Sequence, residues 1–112
     1  MLEKGKLVPD AEITGIDGTR KHLWDFRQAC HLLFLVGEPD TVALLSVKLA
    51  ERQKTLTWLG IQVFATSQTL ADYPPAGYAI DRYGELIEIY ALDESLPDKI
   101  ERDFLNYEAC HC

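Results

Sequence analysis

The 112-residue chain lacks long hydrophobic runs, an excess of basic residues and an even number of cysteines. Its longest apolar runs, Leu32–Val36 and Val42–Leu45, are far shorter than the roughly 20 residues of a membrane-spanning helix, so we expect no membrane partner. With 18 acidic and 11 basic side chains the formal charge is −7, which repels phosphate backbones. We therefore expect no nucleic-acid partner either. Disorder is excluded because 47% of the residues are apolar and can form a core.

The length accommodates one domain, and residues 1–112 are interpreted as a single unit. The segment Met1–Lys6 has no apolar stretch followed by a small-residue cleavage site, which predicts a cytoplasmic location. In that compartment three cysteines are expected to be reduced, reactive or metal-binding rather than permanently bridged. The odd number also leaves one thiol unpaired in any intramolecular scheme.

The first half of the chain has the pattern of an α/β protein. A turn at Asp17-Gly18 predicts a β-hairpin over residues 11–23. Residues 32–36 are apolar without alternation, which is typical of a strand covered on both faces. Apolar residues at spacings of three, four and seven then predict one helix that ends at Gly60, with Asp40 or Thr41 as its cap.

The second half of the chain completes this pattern. Residues 61–65 predict a strand parallel to the first, because the connection between them runs through a helix. A loop over residues 66–77 is followed by a second hairpin around Gly84. Ser95 then begins a last helix, which leads into the tail Cys110-His111-Cys112.

Three segments of the sequence together carry a family resemblance. They are Val8–Arg27, with Val8-Pro9-Asp10-Ala11, Asp17-Gly18 and Leu23-Trp24-Asp25-Phe26-Arg27; Leu59–Ser67; and Pro75–Gly84, with Ile80-Asp81-Arg82-Tyr83-Gly84. In order and spacing they resemble the peroxiredoxin-like group, which includes alkyl hydroperoxide reductases and thiol-specific antioxidants. The resemblance implies a thioredoxin-like α/β fold with an N-terminal β-hairpin, then β-α-β, a loop, a β-hairpin and a helix.

The chain departs from the family at the loop before the first core helix. There the resemblance implies a reactive cysteine, whose thiol pKa the helix N-terminus would lower. Residues 37–41 read Gly-Glu-Pro-Asp-Thr, and no sulfur lies within residues 31–109. Peroxidatic chemistry at this loop is therefore not expected, because a carboxylate such as that of Asp40 cannot replace a thiolate.

A second departure is the missing or reduced crossover helix between the second and third core strands. Residues 66–77 are too few for a helix and its connections. The sheet face that this helix covers in the family needs another cover, either the N-terminal hairpin or a second subunit. We expect a homodimer on this ground, with Leu44, Val47 and Trp58 adding apolar surface to bury.

Pro75 corresponds to the family's cis-proline, which lies beside the active loop and holds a partner's backbone. The resemblance thus implies a cis bond before Pro75 and a binding surface around it. Without the cysteine, this surface is at most a binding site.

The cysteines are the better candidates for chemistry. The first core strand runs toward the former active site, so Cys30 and His31 lie at the opposite pole. A helix from Ser95 to Ala109 covers about 22 Å, and a strand from His31 to Gly37 covers about 20 Å. Since the last helix runs back along the sheet, Cys110, His111 and Cys112 are expected at the same pole.

Three interpretations of this cluster stay open. In the first, Cys30, Cys110 and Cys112 are redox thiols activated by His31 or His111, acting on a thiol-redox protein partner. In the second, Cys30 and Cys110 are buried hydrophobic residues, Cys112 is a chain end, and the protein is a non-catalytic binding or dimerisation module. In the third, the thiolates and one histidine form a small structural zinc site. We expect no organic cofactor and no metal outside that third interpretation.

Overall fold

The computed structural model describes residues 2–110, with side chains from Leu2 to Tyr107. The chain begins with the predicted hairpin, in which β1 (Glu12–Thr14) pairs antiparallel with β2 (Arg20–His22). A short 3-10 helix, Leu23–Phe26, follows directly. The turn depends on Gly18, whose φ of 86° is a conformation that glycine adopts without strain.

Four strands form the main sheet: β3 (His31–Val36), β4 (Ile61–Thr66), β5 (Ala76–Ile80) and β6 (Leu86–Tyr90). Their order is β4-β3-β5-β6. β3 and β4 are parallel, as predicted from the helical connection, and the other pairs are antiparallel. Every residue of β3 is buried, so the prediction of a central strand covered on both faces is confirmed.

The helices are α1 (Pro39–Ala50), α2 (Gln53–Trp58) and α3 (Leu96–Cys110). The prediction of one continuous helix before Gly60 is wrong, because the chain leaves helical geometry at Arg52, with φ −107° and ψ 20°. The Arg52 guanidinium reaches across to α3 and lies 2.6 Å from Asp98 and 3.2 Å from Glu101. The seven-residue spacing of Leu49 and Leu56 is the same for one helix or two, so the pattern does not reveal the break. No helix within residues 2–110 is both long and apolar enough to cross a bilayer.

The three helices cover one face of the sheet. Their apolar side chains pack with those of β3 that point to this face, Leu33 and Leu35. The fully buried members from α3 are Leu96, Ile100 and Phe104. Burial of this kind is the main source of stability, at about 25 cal/mol per Å² of apolar surface.

The other face of the sheet is covered by the N-terminal third of the chain and one loop. Residues 67–75 contain no helix between β4 and β5, as predicted. The apolar cluster that covers this face instead contains Val8, Ile13, Leu23, Phe26 and Tyr73, packed on Leu32, Phe34, Val36, Phe64, Tyr78, Ile80 and Leu86. Of the two covers considered from the sequence, the N-terminal segment is the one that occupies this face.

Candidate functional site

The loop between β3 and α1 is the one at which the sequence resemblance implied a reactive cysteine. Glu38, and not Asp40 or Thr41, is the capping residue of α1, because Pro39 already has helical geometry. The Val42 N–H donates to the Glu38 carbonyl at 3.0 Å, which closes the first turn. The predicted cap is therefore wrong by two or three residues, and the carboxylates of Glu38 and Asp40 are exposed to solvent.

A cleft of about 260 Å³ lies beside this loop. Its lining comes from Val36–Pro39, from the segment Ser67–Leu70, and from Tyr73 and Pro75. None of these residues is a cysteine. The cleft offers apolar side chains together with hydroxyl, amide and carboxylate groups, a composition suited to binding and not to thiol chemistry.

Pro75 lines the cleft, but the predicted cis bond before it is wrong. No peptide bond within residues 2–110 is cis. The trans form is the ordinary state of an X–Pro bond, favoured by about 0.5–1 kcal/mol. The carbonyl of the preceding residue, Pro74, accepts a hydrogen bond from the Tyr78 hydroxyl.

Cys30 stands immediately before β3 at the opposite pole of the sheet. Its side chain is half-buried and packs against the apolar cluster under the N-terminal segment. The Sγ donates to Oε1 of Gln62 at 3.6 Å. Burial raises the pKa of the Cys30 thiol, and the positive charge of Lys21 lowers it by a smaller amount.

His31 is completely buried and faces the other side of the sheet. Its ring centroid lies 4.9 Å from that of Phe104 and 5.3 Å from that of Tyr107, both on α3. The Arg82 backbone N–H donates to Nδ1 of His31 at 3.1 Å, and the Arg82 guanidinium lies 3.1 Å from Nε2. His31 is thus held between the hairpin turn after β5 and the last turns of α3.

A buried carboxylate lies next to Arg82 in the same hairpin turn. Asp81 is 6% exposed and accepts backbone N–H bonds from Tyr83 at 2.9 Å and from Glu85 at 3.0 Å. Its second oxygen accepts the Tyr107 hydroxyl at 3.1 Å. Burial and the neighbouring Asp81 charge raise the pKa of Tyr107 to about 12. Asp81 therefore joins the hairpin turn to α3.

The structure brings Cys30, His31 and the end of α3 to one pole. Cys110 lies in the last turn of α3, but its side chain, like His111 and Cys112, lies outside the described part of the chain. The pairing of Cys30 with a tail cysteine therefore stays a prediction. Among the described side chains, no group of three or more His, Cys, Asp or Glu could hold a metal ion.

Two contacts of the candidate residues were missed by the sequence analysis. The parallel register sets Leu32 opposite Gln62, so Gln62 lies on the same sheet face as Cys30, two residues before Leu32, and contacts it. The alternation of side chains between the two faces of β4 could have indicated this contact. Arg82 contacts His31 across 51 positions of sequence. No local pattern in the sequence predicts a contact between residues so far apart.

Comparison with known proteins supports the fold and little beyond it. No protein-family model matches this chain, and no curated protein matches it. Among solved structures, the chain is similar to the peroxidoxin BcpB from Mycobacterium tuberculosis, with a TM-score of 0.70, 9% identity, and coverage of 97% of this chain and 98% of that one.

Two further solved structures have the same fold. The reduced 2-Cys peroxiredoxin from Plasmodium vivax matches with a TM-score of 0.68 and 13% identity, over 95% of this chain and 82% of that one. The thioredoxin domain of a thiol-disulfide oxidoreductase from Bacteroides vulgatus matches with a TM-score of 0.60 and 14% identity, over 91% and 98%. The chain therefore has a thioredoxin-like fold, which confirms the fold class predicted from the sequence.

Proposed function

We propose that this thioredoxin-fold chain carries out thiol–disulfide exchange at the pole of Cys30 and the C-terminal cysteines, away from the loop before α1. One observation carries the proposal: the ring of His31, the residue after Cys30, packs against Phe104 and Tyr107. The last turns of α3 therefore reach the Cys30 pole, and the chain continues from there into Cys110, His111 and Cys112.

The three cysteines have different roles in this proposal. Cys30 is not the first nucleophile, because burial raises its pKa and keeps it a thiol at neutral pH. Cys110 is disfavoured as well, since the carbonyl end of α3 opposes a thiolate there. Cys112 follows the helix and has His111 beside it in the chain, so we assign the first attack to Cys112 with His111 as its activator.

The exchange uses the disulfide of a partner protein as the oxidant. The Cys112 thiolate attacks one partner sulfur, the partner S–S bond breaks, and a mixed disulfide forms while the first partner thiolate leaves and takes up a proton. Cys30 then loses its proton and attacks Cys112 within the mixed disulfide. A Cys30–Cys112 bond forms, the second partner thiol leaves, and two electrons have passed from this chain to the partner.

Mild oxidation with diamide, followed by thiol counting and peptide mapping, tests this function. We expect two thiols to be lost per chain and a Cys30–Cys112 peptide pair in the native fold. In Cys30→Ser, oxidation should shift to a Cys110–Cys112 bridge or to intermolecular dimers. In Cys112→Ser, oxidation should become much slower, whereas Cys110→Ser, the matched control, should still form the bridge. A Cys30 thiol that reacts only after denaturation would contradict the proposal.

A second function is favoured by the cleft beside Pro75. Its volume of about 260 Å³ and its accessible apolar side chains, Pro39, Leu70 and Pro75, suit an extended apolar peptide segment. In this case the chain is a binding module, and its cysteines are core or terminal residues. Titration with short apolar peptides should then shift the NMR signals of Leu70 and Tyr73 equally in the native chain and in a cysteine-free variant. Absence of such shifts at millimolar peptide would exclude this second function.

A further inference from the structure

Strand β4 lies at an edge of the main sheet, and within residues 2–110 no strand lies beside half of that edge. β4 has one neighbour in the sheet, β3. On the side of β4 away from β3, one backbone hydrogen bond is formed among residues 2–110. The Ile16 N–H, in the loop of the N-terminal hairpin, donates to the Ala65 carbonyl at 2.9 Å. No backbone group of the described residues forms such a bond with residues 61–63 on this side.

Three hydrogen bonds show which backbone groups face outward. The Gly60 carbonyl accepts the N–H of His31 in β3, and the Thr66 carbonyl accepts the N–H of Gly37, which follows β3. The even-numbered residues along β4 therefore direct their backbone N–H and C=O groups toward β3. The Ala65 carbonyl points outward to Ile16. Because backbone groups alternate along a strand, Ile61 and Val63 present both their N–H and their C=O groups at the bare edge.

The opposite edge of the sheet is protected. At β6 the Gly5 N–H donates to the Leu86 carbonyl and the Leu86 N–H donates to the Lys6 carbonyl. Glu88 further along β6 carries a charge and pairs with Lys4 at 2.7 Å. Coverage and charge are the usual devices that keep an edge strand from pairing with another chain. β4 reads Ile-Gln-Val-Phe-Ala-Thr and has no charge at all.

Two hollows of about 260 and 470 Å³ border the β4 edge and share Gln53 and Val63 in their linings. Their remaining lining residues are uncharged except Asp17, and they include Ser46, Ala50, Thr57 and Gln62. The chain as a whole carries a formal charge of −7. Two copies that each carry this charge repel each other least where the facing surfaces hold few charges, as they do here.

We propose that two copies of this chain pair through their β4 edges, antiparallel, about a two-fold axis at Gln62. In this register Ile61 of each copy lies opposite Val63 of the other. Each such pair exchanges two N–H···O=C bonds, so the bare backbone groups of Ile61 and Val63 are all satisfied. The bond from Ile16 to Ala65 stays intact. The two four-stranded sheets join into one continuous sheet.

Exposed apolar residues at the two ends of the edge support a second copy as the occupant. Trp58, 78% exposed, precedes β4, and Ile16, 43% exposed, lies beside its last residues. The antiparallel register directs Trp58 of each copy toward Ile16 of the other. From the sequence we expected a homodimer through a sheet face, but the N-terminal segment covers that face. The proposal moves the interface to the edge.

Sedimentation velocity and amide exchange under a reducing agent test the pairing. An edge-to-edge contact is small, so we expect a monomer at about 1 µM and a dimer approaching 1 mM. The Val63 amide should gain protection with concentration, whereas the Phe64 amide, which faces β3, should be protected throughout. A monomer over the whole range, or a dimer that leaves the Val63 amide unprotected, overturns the proposal.

Engineered cysteines test the register. At a non-hydrogen-bonded position of an antiparallel pair, opposite Cβ atoms lie about 5 Å apart, which suits a disulfide. With Cys30, Cys110 and Cys112 replaced by serine, Gln62→Cys should form a disulfide-linked dimer on mild oxidation. The matched control Asn106→Cys, on exposed α3 surface, should not. Equal cross-linking of both variants overturns the register.

Surface variants test the ends of the interface. Trp58→Lys should weaken association by at least about tenfold, since large aromatic residues dominate contact energies. Leu105→Lys, at another exposed apolar residue (47%), should leave association unchanged. Ile89→Lys, at the β6 edge where Ile89 is 42% exposed, is a second control and should also leave association unchanged. Dissociation by Ile89→Lys and not by Trp58→Lys would place the interface at the other edge and overturn the proposal.

Discussion

Cys30 and His31 are neighbours in the chain, yet their side chains lie on opposite faces of the sheet. The Cys30 Sγ contacts Gln62 under the N-terminal segment, whereas the His31 ring packs on α3 and bonds with Arg82. Successive side chains of an extended segment alternate between faces, so the two groups are kept apart by the strand itself. His31 therefore faces α3 and not Cys30. In the proposed exchange, the activating histidine is His111.

The loop at Gly37–Thr41 is not expected to support peroxide reduction. It offers a proline, a threonine and carboxylates, which lack thiolate reactivity. In an assay coupled to a thioredoxin system, peroxide should disappear no faster with an Asp40→Ala variant or the native chain than with buffer. Clear turnover that survives replacement of all three cysteines would overturn this expectation.

Cys30 should react slowly with alkylating agents at neutral pH. Burial raises the pKa of its thiol, so the reactive thiolate fraction is small until the pH exceeds the usual range for cysteine. The measurement is the pH dependence of iodoacetamide modification in a Cys110→Ser, Cys112→Ser variant, native against denatured. Adding Lys21→Gln should move the native curve further toward high pH, because the Lys21 charge favours the thiolate. A native midpoint below the denatured one would contradict the assignment.

Tyr107 should ionise about two pH units above an ordinary tyrosine. Its pKa is raised from 10.0 to about 12 by burial, by the charge of Asp81 and by their hydrogen bond. The neutral phenol is stabilised only in the folded state, so its contribution to stability is complete below pH 10 and is lost as the pH rises through 12. Ultraviolet titration of the native chain against Tyr107→Phe isolates this group. Asp81→Asn should lower the pKa only in part, since burial is the largest cause.

Tyr73 should be a large contributor to stability because it covers the sheet face that has no crossover helix. It is 1% exposed, its ring lies 5.3 Å from those of Phe34 and Tyr78, and its hydroxyl donates to the Pro9 carbonyl. We expect Tyr73→Ala to lower the free energy of unfolding by about 3–5 kcal/mol, and Tyr73→Phe by about 1 kcal/mol.

Urea unfolding at neutral pH measures both Tyr73 variants. Tyr83→Ala is the control, because Tyr83 is 57% exposed and its loss should change stability by less than about 0.5 kcal/mol. Equal effects of Tyr73→Ala and Tyr83→Ala would show that this face is held by the N-terminal segment alone.

Local patterns in the sequence predicted most of the fold. The apolar run Leu32–Val36 indicated a buried central strand, and Gly18 and Gly84, with φ of 86° and 85°, marked turns that favour glycine. The short segment before Pro75 correctly excluded a crossover helix. Three predictions that depended on single backbone angles were wrong. In the structure the helix breaks at Arg52, α1 is capped by Glu38, and the bond before Pro75 is trans.

The sequence by itself determined the elements, their order and the absence of sulfur from the loop before α1, because periodicity, turn residues and residue identity are local properties. Only the tertiary structure decided which side chains meet across the fold. The face of Cys30, the partner of His31 and the bare edge of β4 depend on strand register and on what packs beside each strand. These contacts join residues far apart in the chain, and no local pattern encodes such a distance.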